Sequence, residues 1–275
     1  MNRQSLIQQI HQKGSYLCVG LDTDLSKIPA HLLQEDDPMF AFNKAIVDAT
    51  RDLCVSYKIN TAFYEAEGLK GWQSMEKIVH YIGNNHLVIA DAKRGDIGNT
   101  STQYAKAFFE QLPFGAITVA PYMGEDSVTP FLAYADKWTI VLGLTSNKGA
   151  QDFELKRLAA SEGQTQGDLL YETVLKTISG WGSPDQLMFV VGATQADEFI
   201  NIRKLTPQNF YLVPGVGAQG GSLKEISEKA MIKGDVGLLV NASRAIIYAS
   251  SGLDFAEKAR EVAQAYRDEM KMYLS

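Results

Sequence analysis

The segment IADAKRGDIGNT (89–100) sets two carboxylates and an ammonium close together, as Asp91, Lys93 and Asp96. Asp91 and Lys93 are two apart, so in an extended backbone both side chains project to one face with Ala92 opposite. Two more charges end or interrupt short apolar runs upstream: Asp22 closes YLCVGLD (16–22), and Lys58 lies inside VSYKIN (55–60). A lysine flanked by carboxylates is held as ammonium, because opposite charge favours the protonated form. That is the wrong state for an amine nucleophile, which needs desolvation or a cationic neighbour. It suits stabilising a developing carbanion and then giving it a proton. Carbanion chemistry is therefore what these residues predict.

A second constellation lies late in the chain. In VPGVGAQGG (213–221), Gly215, Gly217, Gly220 and Gly221 allow close approach of backbone N–H groups to an anion, and Gln219 adds a side-chain donor. In NASRAIIYAS (241–250), Arg244 brings a planar, multi-donor cation where a short helix can begin. The pair reads as a phosphate cradle. Ser146 and Asn147, in GLTSNKG (143–149), are placed to bond a heterocycle amide or simply to cap a loop. His11, His31, His80 and His86 are dispersed without ligand spacing, so no metal is expected. Cys18 and Cys54 sit among apolar residues and read as buried thiols of a reducing compartment. Trp72, Trp138 and Trp181 read as core.

The elements that must position these groups follow from the apolar pattern. Eight short runs, 16–22, 55–60, 86–92, 116–120, 139–144, 188–193, 210–215 and 236–241, are separated by amphipathic helical segments. Near-continuous apolar strands joined by helices imply a parallel sheet covered on both faces. Eight such units predict a (β/α)8 TIM barrel, a single domain over residues 1–275, with a helix at the N-terminus carrying Leu6, Ile7 and Ile10. An open doubly wound sheet is the alternative, but its first turn would usually carry G-x-G-x-x-G, and GLDTDLSKIPA (20–30) does not. Barrel chemistry resides at the carboxyl ends of the strands. Successive strands lie about 4.8 Å apart, so Asp22, Lys58, Asp91 and Lys93 should form a row of alternating charge. The long segment 145–167 after the fifth run is expected to be a functional loop.

Composition narrows the partners. The chain has 275 residues, 45% apolar, with a net charge of −6 and no basic runs, which is poorly suited to nucleic acid or an anionic membrane. A small anionic ligand needs only a few local cations. No apolar stretch approaches the roughly 18 residues of a membrane span, and the first residues lack the apolar core of a secretory signal. A cytoplasmic location is expected.

Taken in order, these motifs resemble the orotidine 5′-phosphate decarboxylase family, and the form DAKRGDIGNT resembles its longer bacterial (type 2) subfamily. The match comprises Asp22; Lys58; D-x-K-x-x-D as Asp91, Lys93 and Asp96, followed by Ile97 and Thr100; TSN at 145–147; PGVGAQGG at 214–221; and Arg244. It covers most of the chain. The resemblance implies decarboxylation of orotidine 5′-phosphate to UMP and CO₂ by a homodimer without metal or organic cofactor. It implies that Lys93 stabilises and protonates a C6 carbanion, that Asp91 lies by the departing carboxylate, and that Lys58 and Asp22 hold ribose hydroxyls and orient the charges. It further implies that Asp96, Ile97 and Thr100 reach the neighbouring subunit's site. Ser146 and Pro214 would contact the pyrimidine, and Gln219, Gly220 and Arg244 the phosphate. Arg94 and Gly95 depart from the less polar residues of shorter relatives, a matter of subfamily detail. Two rivals share the scaffold. A magnesium-dependent sugar-phosphate decarboxylase or aldolase would place an acidic ligand on the second strand, where Lys58 stands; a catalytically dead nucleotide sensor would have no need of the Asp–Lys–Asp group.

Overall fold

Each of the eight apolar runs becomes a strand, and the intervening amphipathic stretches become helices that cover the sheet. The chain begins with α1 (Arg3–Lys13), β1 (Leu17–Gly20), α2 (Pro38–Thr50), β2 (Ser56–Asn60), α3 (Thr61–Glu65), α4 (Gly68–Ile82), β3 (Leu87–Arg94), α5 (Gly98–Lys106) and β4 (Ala116–Val119). It continues through α6 (Thr129–Leu132), β5 (Trp138–Leu144), α7 (Leu170–Ser179), β6 (Leu187–Val191), α8 (Phe199–Leu205), β7 (Phe210–Pro214), α9 (Leu223–Ala230), β8 (Leu238–Ala242), α10 (Arg244–Ile247) and α11 (Phe255–Lys271). This computed structural model describes residues 1–160, 165–217 and 220–274. The strands close in sequence order, β1 through β8 and back to β1, as a parallel (β/α)8 barrel.

The local reasons are ordinary ones. Strands β1, β4, β6 and β8 are buried at every residue, as expected where helices cover one face and barrel contents the other. Helix α4 buries Gly71, Ser74, Met75, Ile78, Val79 and Ile82, one stripe at three- and four-residue spacing. Only a 3₁₀ turn at Glu125–Ser127 and the short α6 join β4 to β5, where the sequence has no amphipathic stretch. Helix α1 starts at Asn2, whose side chain accepts from the Ser5 N–H, and ends at Gly14 with φ +62°, a left-handed cap. It lies against the amino ends of the strands. Arg3 pairs with Asp235 just ahead of β8, stands over the Phe210 ring at the start of β7, and donates to the Pro184 carbonyl ahead of β6. Trp138, fully buried at the start of β5, donates its indole N–H to the Met1 carbonyl. The floor of the barrel is therefore closed, leaving the carboxyl ends as the open rim.

Two irregularities shape that rim. The β3–β4 register shifts between Ala90 and Arg94, and the β5–β6 register between Leu142 and Leu144. Past β6, Gly192 packs on the segment after β5: a Cβ there would stand 2.6 Å from the Ser146 N and 2.7 Å from its Cα. Backbone cannot yield as a flexible side chain can. Gly192→Ala should therefore lower stability by about 1–3 kcal/mol while pushing Ser146 out of place. An unchanged urea midpoint for this variant would show that the two segments are not held as closely as described.

Candidate active site

The open rim contains a cavity of about 280 Å³ whose lining includes Asp22, Lys58, Asp91 and Lys93 together with Ser146, Pro214 and Arg244. The predicted row of charge is present. The Gly20–Lys58 and Asn60–Asp91 register pairs bring the ends of β1, β2 and β3 side by side. The Lys58 Nζ then lies 3.0 Å from Asp22 Oδ1 and 3.0 Å from Asp91 Oδ2, and Lys93 Nζ lies 2.5 Å from Asp91 Oδ1.

Burial makes this row different from surface ion pairs. Lys58 is only 4% exposed. Burial pulls its pKa down, but the charges of Asp22 and Asp91 outweigh that and hold it well above its usual value. For Asp91, burial pushes upward, while Lys58 and Lys93 together prevail and hold the carboxyl at about 2. Both groups are therefore ionised throughout the neutral range. The lysine flanked by two carboxylates is Lys58; Lys93 shares one of them and is half exposed to the cavity.

Lys93 reaches this position by a route that simple strand alternation does not give. Its φ is +47°, so the backbone turns left-handed at the point where the register shifts. Its N–H is taken by the Thr118 hydroxyl at 2.9 Å, and that hydroxyl donates to Asp91 Oδ1 at 3.1 Å. Thr118 belongs to a run read as purely apolar, and the sequence carried no signal for it beyond a hydroxyl in a strand. Asn60 and Asn241, at the ends of β2 and β8, also line the cavity and also lay outside the charge pattern. The Asn241 Oδ1 is buried without a partner in the protein among the described residues.

Another part of the lining, after β7 and β8, has the chemistry of an anion site. Arg244, the first residue of α10, has no side-chain hydrogen bond or ion pair among the described residues, so its charge is available. Among the lining residues, Lys58, Lys93 and Arg244 set three cations against Asp22 and Asp91. Pro214 and Gly215 line the same end. Gly217 and Gly220 adopt φ of +73° and +87°, as a sharply folded loop requires. Yet Gly220 lies outside the lining, and its N–H donates to the Gly217 carbonyl, while the N–H groups of Gly217 and Gly221 bond to Gly221 and Gly215. The glycines fold the loop on itself rather than presenting those donors to the cavity. Gln219 lies outside the described residues.

Between the two ends, Leu142, Val190, Leu212 and Val216 give an apolar wall and Thr145, Ser146 and Asn147 a polar one. Glu154 secures the polar wall by accepting from the Thr145 N–H at 2.7 Å, which gives the segment after β5 a supporting part. Asp96, Ile97 and Thr100 are not in the lining: Asp96 accepts from the Ile97 N–H, and Ile97 and Thr100 are exposed. Arg94 anchors their segment by pairing with Glu65 and standing over the Tyr104 and Phe108 rings. Cys18 and Cys54 are free and buried, and burial pushes their thiols up to about 12 and about 11.

A barrel whose rim holds a buried lysine–carboxylate network, with an arginine that has no side-chain partner among the described residues in the same cavity, defines a barrel enzyme site suited to a small anionic ligand. Comparison with known proteins narrows it. The family model for orotidine 5′-phosphate decarboxylase / HUMPS matches residues 15–262. The orotidine 5′-phosphate decarboxylase of Flavobacterium johnsoniae is 59% identical over 273 residues, covering 98% of this chain and 97% of the relative. That of Bacteroides fragilis is 56% identical over the same shares. The solved OMP decarboxylase of Leishmania donovani superposes with a TM-score of 0.82 at 31% identity, covering 99% of this chain and all of that one. The UMP synthase structure from the same organism superposes at 0.80 with 35% identity, covering 95% of this chain and 56% of that one. The chain belongs to the orotidine 5′-phosphate decarboxylase / HUMPS family.

The depressed pKa of Asp91 has a direct consequence. Its contribution to stability is fully present above the ordinary value of 3.8 and is lost as pH falls through about 2. Asp91→Asn should therefore be less stable than the wild type at neutral pH, with the gap narrowing once pH drops below 3.8. Urea unfolding of both proteins from pH 7 to pH 3 measures this, and a constant gap would contradict the ionised assignment.

Proposed function

We propose that this enzyme is a carboxy-lyase that converts orotidine 5′-phosphate to UMP and CO₂, a step of pyrimidine synthesis, using its own side chains without metal or organic cofactor. The observation that carries the reading is the Asp22–Lys58–Asp91–Lys93 row, sharing one cavity with Arg244, whose side chain has no partner among the described residues. The bond between C6 and the substrate carboxylate breaks, CO₂ departs, and the electron pair stays on C6. The Lys93 ammonium stabilises that charge and donates a proton to C6, forming UMP; the amine then regains a proton from solvent. Asp91 lies beside the departing carboxylate and is kept ionised by the two lysines.

The remaining roles follow the two ends of the cavity. Asp22 and Lys58 take ribose hydroxyls, Ser146 and Pro214 contact the pyrimidine against the apolar wall, and Arg244 takes the phosphate. Gln219 and Gly220 join it when the 214–221 loop folds over the anion. A magnesium-dependent reading of the same family is disfavoured by Lys58, a buried cation on β2 where a metal ligand would have to be acidic.

The active form in this reading is a homodimer. Asp96, Ile97 and Thr100 stand outside their own cavity, on a rim that also exposes the apolar side chains of Tyr122, Met123 and Phe153. Such a surface fits a second copy, with Asp96 and Thr100 completing the neighbour's site. The partners are then a nucleotide and a second subunit, with no nucleic acid or membrane; no helix among the described residues is long and apolar enough to cross a bilayer. A cytoplasmic location suits that chemistry.

Loss of orotate absorbance on mixing the protein with orotidine 5′-phosphate and EDTA tests the activity. Rapid loss supports it, and none from a folded wild type that still binds UMP would leave a nucleotide sensor instead. Because the phosphate is remote from C6, its binding energy is available to assemble the site. Arg244→Ala should lower kcat/KM by about 10²-fold or more, in line with the loss of a charge-assisted contact worth ~3 kcal/mol; a normal value would sink the phosphate assignment. Mixing Asp96→Ala with Lys93→Ala, each inactive alone, should restore roughly a quarter of wild-type activity, since half the dimers are mixed and each carries one complete site. No recovery on mixing would show that Asp96 does not serve the neighbouring subunit.

A further inference from the structure

We infer that Thr118 is a positioning residue for the reaction, a hydroxyl on β4 that fixes Lys93 and Asp91 relative to each other. The inference rests on the decarboxylase reading above and adds a residue to its machinery.

Lys93 and Val236 are the non-glycine residues with positive φ among those described. For an L-residue that backbone is costly, and it persists only where its surroundings over-determine it. At Lys93 the ordinary strand bond is missing, because the β3–β4 register shifts between Ala90 and Arg94. A part-buried N–H left without an acceptor would be unfavourable. Thr118 supplies the acceptor, with its Oγ1 2.9 Å from the Lys93 N.

A threonine hydroxyl has one proton and two acceptor lone pairs. Here the proton points to Asp91 Oδ1 at 3.1 Å, the same oxygen that receives the Lys93 ammonium at 2.5 Å. One hydroxyl therefore holds the main chain of the proton donor and the carboxylate that orients its side chain. Thr118 is 1% exposed, so water has little access to take over either bond. It sits inside β4, paired with Ile140 of β5, and its β-branched side chain is stiff about χ1. The clamp is thus attached to the rigid barrel. Lys93 itself has a long, half-exposed side chain and a left-handed backbone, and would wander without it.

The test compares Thr118→Val, which keeps the shape and removes the hydroxyl, with Thr118→Ser, which keeps the hydroxyl. Steady-state decarboxylation gives kcat and KM, and a titration with UMP gives Kd for a ligand held by the ribose and phosphate ends. The expected result is a fall in kcat of about 10- to 100-fold for Thr118→Val, with the Kd for UMP within about twofold of wild type. Thr118→Ser should recover most of the loss. An active wild type with an equally active Thr118→Val overturns the inference alone. So does an equal loss in both variants, or a loss of kcat matched by the loss of UMP binding, since either marks a merely structural residue. A folded wild type that does not turn over overturns the functional reading and the inference together.

Discussion

Everything in this site depends on one buried cation. Lys58 stands between Asp22 and Asp91 at 3.0 Å from each, nearly out of reach of solvent. Removing a charge from water is expensive, and a lone buried ammonium would shed its proton instead. Two carboxylates reverse that preference, and in return Lys58, with Lys93, keeps Asp91 ionised in a confined space. Neither sign could be packed here alone. The result is a fixed electrostatic field at the end of β3, into which Lys93 extends a second ammonium.

The barrel supplies what the network cannot. Closure in sequence order places the ends of β1, β2 and β3 beside one another, so groups far apart in the chain become neighbours at strand spacing. The ends of β7 and β8, with β8 next to β1 in the closed circle, present Pro214 and Arg244 to the same mouth. The floor is sealed by α1 through Arg3 and the Met1 carbonyl, so chemistry is confined to one end. Departures from regularity occur at two register shifts bordering the mouth.

Much of this was legible in the sequence, and the gaps have physical causes. Apolar runs and amphipathic segments alternate because a parallel barrel is covered on both sides, and that pattern alone placed the eight strands to within a few residues. Charged residues at the ends of such runs are conspicuous because burying them is costly, so Asp22, Lys58, Asp91 and Lys93 could be gathered before any geometry was known. Thr118, Asn60 and Asn241 escaped because short polar side chains in strands are common and carry no sign of charge. The left-handed turn at Lys93 escaped too, since an extended reading of D-x-K predicts the same meeting of side chains by a simpler path. Gly215, Gly217 and Gly220 were read as a cradle offering N–H groups to an anion, but composition cannot tell whether such a loop offers them to a ligand or spends them on its own turns, as the Gly217, Gly220 and Gly221 N–H groups are spent here. A contact made across a subunit interface, as proposed for Asp96, is invisible to the periodicity of one chain.

The central claim is that Lys93, held by this network, handles negative charge at C6 of the pyrimidine. Exchange of the C6 hydrogen of UMP for deuterium in D₂O tests that directly, because it forms the carbanion without any carboxylate leaving. The account predicts enzyme-catalysed exchange at C6 by the wild type and its loss in Lys93→Ala, in protein that still binds UMP. Exchange that proceeds undiminished in Lys93→Ala would contradict it.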